Sequence, residues 1–311
     1  NDCSDSLDKG LLTWLQLADS AGLATGIVST ARLTHATPAA TYAHSPNRNW
    51  ENDTDLPAEA VSQGCKDIAQ QLMTPRFGKG PVVILGGGRG EYTTVEQRDP
   101  EYDDKVGQRL DGRDLVGEWQ RAHPGGAYVW SKAQLDAAKD ADALLGLFEP
   151  DHMQFNQDRN PAASGDPTLA SMTTAAINVL SKNPQGYVLL VEGGRIDHAN
   201  HMGNAFRALD ETIAMSDAVR AAVTATSAGD TLILVTADHS HVLSFSGYPV
   251  RGNPMLGKVR GLGGEDGSRS DYARDLLGLP FTTLNYTNGP GYSGASNAQP
   301  AGPKKFEHGV S

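Results

Sequence analysis

The sequence predicts an α/β protein, with a largely parallel central sheet flanked by helices and a loop-rich subdomain near the C-terminus. Two observations carry this. Short apolar runs bounded by turn residues alternate with segments of helical period, and strands alternating with helices build mostly parallel sheets. After about residue 247 the texture changes to Gly, Pro, Ser and Asn, with few long apolar runs.

The elements follow in order. Residues 11–21 read as a helix closed by Gly22, and residues 24–29 and 82–85 as buried strands. Residues 168–181 read as a second helix, stopped near Pro184, and residues 187–191 as a further strand. Phe206, Leu209, Ile213 and Val223 mark one apolar face of a third helix, and residues 231–235 read as a further buried strand. Beyond it, Tyr272, Phe281, Tyr286 and Tyr292 favour a packed, loop-rich subdomain over a disordered tail. The expected division is a core at 1–246 and the subdomain at 247–311. In such sheets the ligand site lies at the carboxyl ends of the strands.

A length of 311 residues allows one large domain or two small ones. The net charge of −11 argues against a nucleic-acid partner, because phosphate-backbone affinity rests on clustered Lys and Arg. It also means that any anion site needs strong local positive charge, for which bound metal ions are the usual source. No apolar stretch approaches the roughly 20 residues that span a bilayer. The polar opening, residues 1–10, contains no signal peptide, as a processed or truncated start also would not. Cys3 and Cys65 fit a disulfide and two buried thiols equally well.

Three segments concentrate chemistry. In Val191-Glu192-Gly193-Gly194-Arg195-Ile196-Asp197-His198-Ala199-Asn200-His201, Glu192 ends a predicted strand. Asp197 and His201 are four apart, so one helical face carries both, and a carboxylate with an imidazole suits zinc. The same pair also fits a plain surface ion pair. In Thr236-Ala237-Asp238-His239-Ser240-His241, Asp238 and His239 follow a second predicted strand. The third segment runs from Ser29 through His35-Ala36-Thr37-Pro38 to Arg48. Thr before Pro is a common helix start, and Arg48 is either a solvated charge or a bidentate phosphate grip.

The strings Val-Glu-Gly-Gly-Arg-Ile-Asp-His, Thr-Ala-Asp-His-Ser-His-Val and His-Ala-Thr-Pro-Ala-Ala-Thr-Tyr-Ala-His resemble the alkaline phosphatase family. The similarity runs from about Cys3 to about Tyr292 and is closest to the animal-type branch, which includes marine bacterial members. It implies a phosphomonoesterase that acts through a phosphoserine at two zinc ions and one magnesium ion. Asp197 and His201 match ligands of the first zinc, Asp238 and His239 of the second, and Thr37 and Glu192 of magnesium. Arg48 matches the arginine that holds the substrate phosphate. His35 and His198 match positions that are Asp and Lys in the enterobacterial branch, and His241 matches a residue that orients the metal site. Glu101, the Phe148 carbonyl, Glu149 and Asp166 match ligands of a calcium ion, although Asp166-Pro167 also reads as an ordinary helix cap.

The resemblance further implies a Cys3–Cys65 disulfide, an oxidising location (secreted, periplasmic or cell-surface) and a homodimer. It also breaks in two places. Asp5-Ser6 shares only a dipeptide with the family's nucleophile motif, so the serine and a metal-bridging Asp are expected upstream of Asn1. Leu262 stands where a zinc histidine would precede Gly263-Gly264-Glu265-Asp266, and His308 lies in an unrelated context. That histidine is expected beyond Ser311, and residues 1–311 alone are expected to be inactive. The rival readings are another metal-dependent phosphate or sulfate enzyme of the same fold, and a non-catalytic calcium-binding secreted module.

Overall fold

The computed structural model describes residues 3, 4, 7, 9–75, 78–162, 164–261, 272–276 and 278–287. Asp5, Ser6, Leu262, the Gly263–Asp266 string, Tyr292 and His308 lie outside them. The chain divides into two compact units, Asn1–Gly194 with Ile213–Leu234, and Arg195–Thr212 with Val235–Ser311.

The elements of the first segment are α1 (Trp14–Ser20), β1 (Ala24–Arg32), α2 (Ala36–Ala39), α3 (Ala58–Ser62), α4 (Ile68–Met73) and β2 (Val83–Gly87). They continue with α5 (Leu115–Ala122), β3 (Gly126–Val129), α6 (Lys132–Ala137), β4 (Ala143–Leu147), α7 (Leu169–Leu180) and β5 (Tyr187–Glu192). Then come α8 (Arg195–His201), α9 (Ala205–Ala225), β6 (Leu243–Phe245) and β7 (Leu284–Tyr286). Among the described residues, five parallel strands form one sheet in the order β3-β4-β2-β1-β5.

β1 has a neighbour on each side, with Ile27 opposite both Ile84 and Leu190. Successive side chains point to opposite faces, and both faces are covered. Ile27 packs in one cluster with Leu15, Leu72, Ile84, Leu115, Trp119 and Leu145. Val28 belongs to the other, with Val83, Leu85, Leu144, Met172 and Ala176. Burial on two faces is why these strands read as unbroken apolar runs.

Local signals set the helix ends. Thr13 Oγ1 accepts from Gln16 N at 3.1 Å while Gln16 Oε1 accepts from Thr13 N at 3.0 Å, a capping box that starts α1. Gly22, at φ 87°, supplies the left-handed turn after it. Thr168 caps α7 through Ser171 N at 3.0 Å.

Cys3 and Cys65 are joined in a disulfide with Cα atoms 5.9 Å apart, packed with Trp50 and Ala60. No described helix is long and apolar enough to cross a membrane.

Three findings depart from the sequence-based expectation. Residues 231–235 form no strand, and Leu232, Leu234 and Val235 are 81%, 81% and 61% exposed. A strand is stabilised by its ladder and cross-strand pairs, and this run pairs with none of the described strands. The third helix forms as α9, but Phe206, Ile213 and Val223 are exposed. The face that joins the core carries Ala218 and Met215. Finally, β3 and β4 complete the sheet where no strand was expected; β3 is a four-residue segment beginning at glycine.

In the second unit, β6 and β7 pair antiparallel, Ser244 opposite Asn285. Tyr286 Oη donates to Asn200 Oδ1 at 2.8 Å.

Candidate active site

In the first unit, the carboxyl ends of β1 and β5 lie side by side, with Ser29 opposite Glu192. Ser29 Oγ donates to Glu192 Oε2 at 2.5 Å and accepts from Ala31 N at 2.9 Å, which fixes the carboxylate at the sheet's edge. A Cβ on Gly194 would stand 2.9 Å from Ala31 Cβ, so only glycine lets the chain leave β5 this close to β1.

The turn after β1 carries the predicted phosphate side of the site. His35 is the residue at the start of α2, without a capping bond from its side chain, and Thr37 lies exposed inside that short helix rather than at its cap. Arg48 Nη2 donates to His35 Nε2 at 3.2 Å. Arg32 is gripped from two sides. Its Nε and Nη2 donate to both oxygens of Glu51 at 2.8 Å, and its Nη1 to Asp151 Oδ1 at 2.5 Å. Burial alone pushes the Glu51 carboxyl up, but hydrogen bonds from Arg32 and Thr34 outweigh it and hold the group below its ordinary value.

In the second unit, Asp197 is the hub. It shares one face of α8 with His201, whose Nε2 is 3.4 Å from Asp197 Oδ2. His241 Nε2 donates to Asp197 Oδ1 at 2.6 Å, and His239 Nε2 lies 3.7 Å from the same oxygen. Asp238 Oδ2 is 3.3 Å from His239 Nε2. Ligand atoms of Asp197, His239 and His241 all lie within 4.8 Å of one another. Burial pushes the Asp197 carboxyl up, but the His241 hydrogen bond and the charges of His201, His241 and His198 hold it low. His198 Nδ1 sits 2.9 Å from Arg195 Nη1. Imidazole and carboxylate donors in this density suit zinc.

Of the predicted calcium ligands, all in the first unit, the carboxylates of Glu101, Glu149 and Asp166 lie close enough to feel one another's charge. Phe148, Glu149 and Asp166 are buried, and Tyr102 Oη donates to both Glu149 oxygens at 2.8 and 2.9 Å. Burial, then the Glu149 charge, pushes the Asp166 carboxyl up to about 7. Burial also raises Glu101, aided by Glu149 and opposed by its bond to Arg89. Mutually repelling carboxylates with oxygen-only donors fit a hard divalent cation. The helix cap is Thr168, so Asp166 is not spent on capping.

Sequence reasoning missed Arg32, Glu51, Asp151 and His152: Arg32 donates to Glu51 and Asp151, and His152 meets both Arg32 and the predicted His35. His152 follows an ordinary loop Asp and carries no periodic or motif signal. Only the fold brings it against Arg32 and His35.

The alkaline phosphatase family model matches residues 4–307. The chain is 45% identical over 298 residues to the tissue-nonspecific alkaline phosphatase isozyme of Rattus norvegicus, and 44% identical over 298 residues to that of Homo sapiens. Each alignment takes 93% of this chain and 54% of the relative, so the chain spans about half the length of the curated relatives it matches. The crystal structure of Thermus thermophilus alkaline phosphatase superposes with a TM-score of 0.52 and 32% identity, over 68% of this chain and 37% of that one. The motifs, the parallel sheet and these likenesses agree: the chain belongs to the alkaline phosphatase family.

Proposed function

We propose that these residues form the phosphate grip and a large share of the metal ligands of a phosphomonoesterase that uses two zinc ions and one magnesium ion. The supporting observation is the convergence of His201, His239 and His241 on the Asp197 carboxylate. Asp197 and His201 hold the first zinc in this reading, and Asp238 and His239 the second. Thr37 and Glu192 take magnesium, and Glu101, Phe148, Glu149 and Asp166 take calcium. Zinc, when bound, lowers the pKa of an attacking hydroxyl and takes up charge on the departing oxygen.

The chain's own residues do the rest. The Arg48 guanidinium holds two phosphate oxygens in its planar fork, and His35 orients it. His241 fixes the carboxylate orientation of Asp197, as hydrogen-bonded neighbours of metal ligands do. Ser29 does the same for Glu192. His198 Nδ1 accepts from Arg195 Nη1 at 2.9 Å, which places the Arg195 guanidinium close to the Asp197 segment and supplies local positive charge in an otherwise acidic chain. No described residue is assigned the nucleophile's role.

The disulfide supports an oxidising location, secreted, periplasmic or on the cell surface. The homodimer implied by the resemblance is part of the same reading. The test uses the full gene product containing these residues, loaded with zinc and magnesium. Hydrolysis of an aryl phosphate that is lost to a zinc chelator and restored by zinc is expected. Hydrolysis that survives complete zinc removal would contradict the proposal.

A further inference from the structure

We propose that His152 is a positioning residue for the phosphate grip, acting through His35 on Arg48; this rests on the reading of Arg48 as the phosphate-holding residue. The segment that carries His152 is fixed to the sheet by its backbone. Gly88 N donates to Asp151 O at 2.7 Å and to Glu149 O at 3.0 Å, and Met153 N donates to Thr30 O at 3.1 Å. A Cβ on Gly87 would run into the Asp151 carbonyl and stand 2.9 Å from Met153 N, so the end of β2 and this segment pack backbone to backbone.

The ring is fixed as well. Arg32 N donates to His152 Nδ1 at 2.9 Å, and Arg32 Nη1 lies 2.9 Å from His152 Nε2. Arg32 is itself held by Glu51 and Asp151. Thus held, the His152 ring meets His35 edge to face, centroids 5.2 Å apart at 80°. This geometry is favourable between aromatic rings, and on this side it limits how far the His35 ring can turn. His35 Nε2 in turn accepts from Arg48 Nη2 at 3.2 Å. A guanidinium already oriented before phosphate arrives binds with less ordering cost. His152 supplies that order without touching the phosphate.

The experiment uses the full gene product, metal-loaded, with phosphate-monoester kinetics and competitive inhibition by inorganic phosphate. His152→Ala, His152→Phe, His152→Asn, Arg48→Ala, His35→Ala and the His35→Ala/His152→Ala double variant are compared with the parent. His152→Ala is expected to raise KM and the phosphate inhibition constant by ~3- to 10-fold, with kcat changed less than about twofold, as befits coupling between neighbouring side chains. His152→Phe keeps the ring edge and should restore most of the loss. His152→Asn keeps an acceptor for Arg32 N but no ring, and should not. In a His35→Ala background, His152→Ala should add nothing. The proposal is overturned by unchanged KM and inhibition constant in His152→Ala, by rescue with Asn and not Phe, or by full additivity with His35→Ala. If Arg48→Ala itself leaves phosphate inhibition unchanged, the reading of Arg48 is what fails. If Arg48→Ala weakens inhibition and the His152 variants do not, only the role of His152 fails. Unfolding temperature and zinc content, measured on each variant, separate a positioning loss from a folding loss.

Discussion

β1 and the run at residues 231–235 are alike locally. Each is an apolar stretch leading into a turn that bears an assigned histidine, His35 after one and His239 after the other. β1 is paired on both sides and buried on both faces, and the turn beyond it is held by Arg32, Glu51 and Asp151. The second run has no strand partner among the described residues, and its leucines face solvent. Composition makes a segment fit to be a strand; neighbours make it one. The same contrast extends to function, because Arg48 is reached through an anchored turn, whereas Asp238 and His239 sit on exposed chain.

The largest effect that separates the two regions is amide exchange in the 311-residue chain. Amides of Gly26, Ile27 and Val28 should be protected by roughly 10⁴-fold or more, as core strands are, and those of Leu232, Ile233 and Leu234 close to unprotected. Equal protection would show that residues 231–235 are paired as β1 is. Ile27→Ala should cost about 2–5 kcal/mol in denaturant unfolding, the range for emptying a packed core site. Leu232→Ala in the same chain should stay within about 0.5 kcal/mol.

The anchored region also carries a built-in pH dependence. Burial pushes the Glu91 carboxyl up to about 7, partly offset by the hydrogen bond from Asn52 Nδ2 at 2.5 Å. A carboxyl whose folded-state pKa is raised contributes stability that is complete below about 4.5 and declines as pH rises to about 7. That decline is worth ~3 kcal/mol. Relative to the parent, Glu91→Gln should therefore gain stability between pH 5 and pH 8. A constant difference in unfolding free energy across that range would show that Glu91 titrates normally.

A smaller effect concerns the grip itself. Arg48→Ala in the full gene product should weaken phosphate inhibition ~10- to 100-fold, the range for losing a charge-assisted contact. Activity should fall without vanishing, and Arg48→Lys should restore only part, because an ammonium lacks the planar fork. Full restoration by Lys would mean that Arg48 acts as a point charge.

β1, β2, β5, α1 and α7 were legible in the sequence because burial on two faces and clear caps leave a strong local record. β3 was not, being four residues beginning at Gly126, and residues 231–235 misled because no local pattern reports a missing neighbour. In the site, the four-residue spacing made Asp197 and His201 readable as a pair. That His241 bonds Asp197 directly, and that the His152 ring meets His35 edge to face, arises from contacts across 44 and 117 positions of sequence (241 − 197 and 152 − 35), which no window along the chain contains.

The most direct test of the account is zinc content measured together with aryl phosphate hydrolysis, for Asp197→Ala beside the parent in the full gene product. Loss of bound zinc and a fall of roughly 10³-fold or more in kcat/KM are expected, as for removal of a group that organises the reacting centre. Unfolding of the metal-free proteins should differ little, because Asp197 is half-exposed on α8. Full zinc occupancy with undiminished turnover in Asp197→Ala would contradict it.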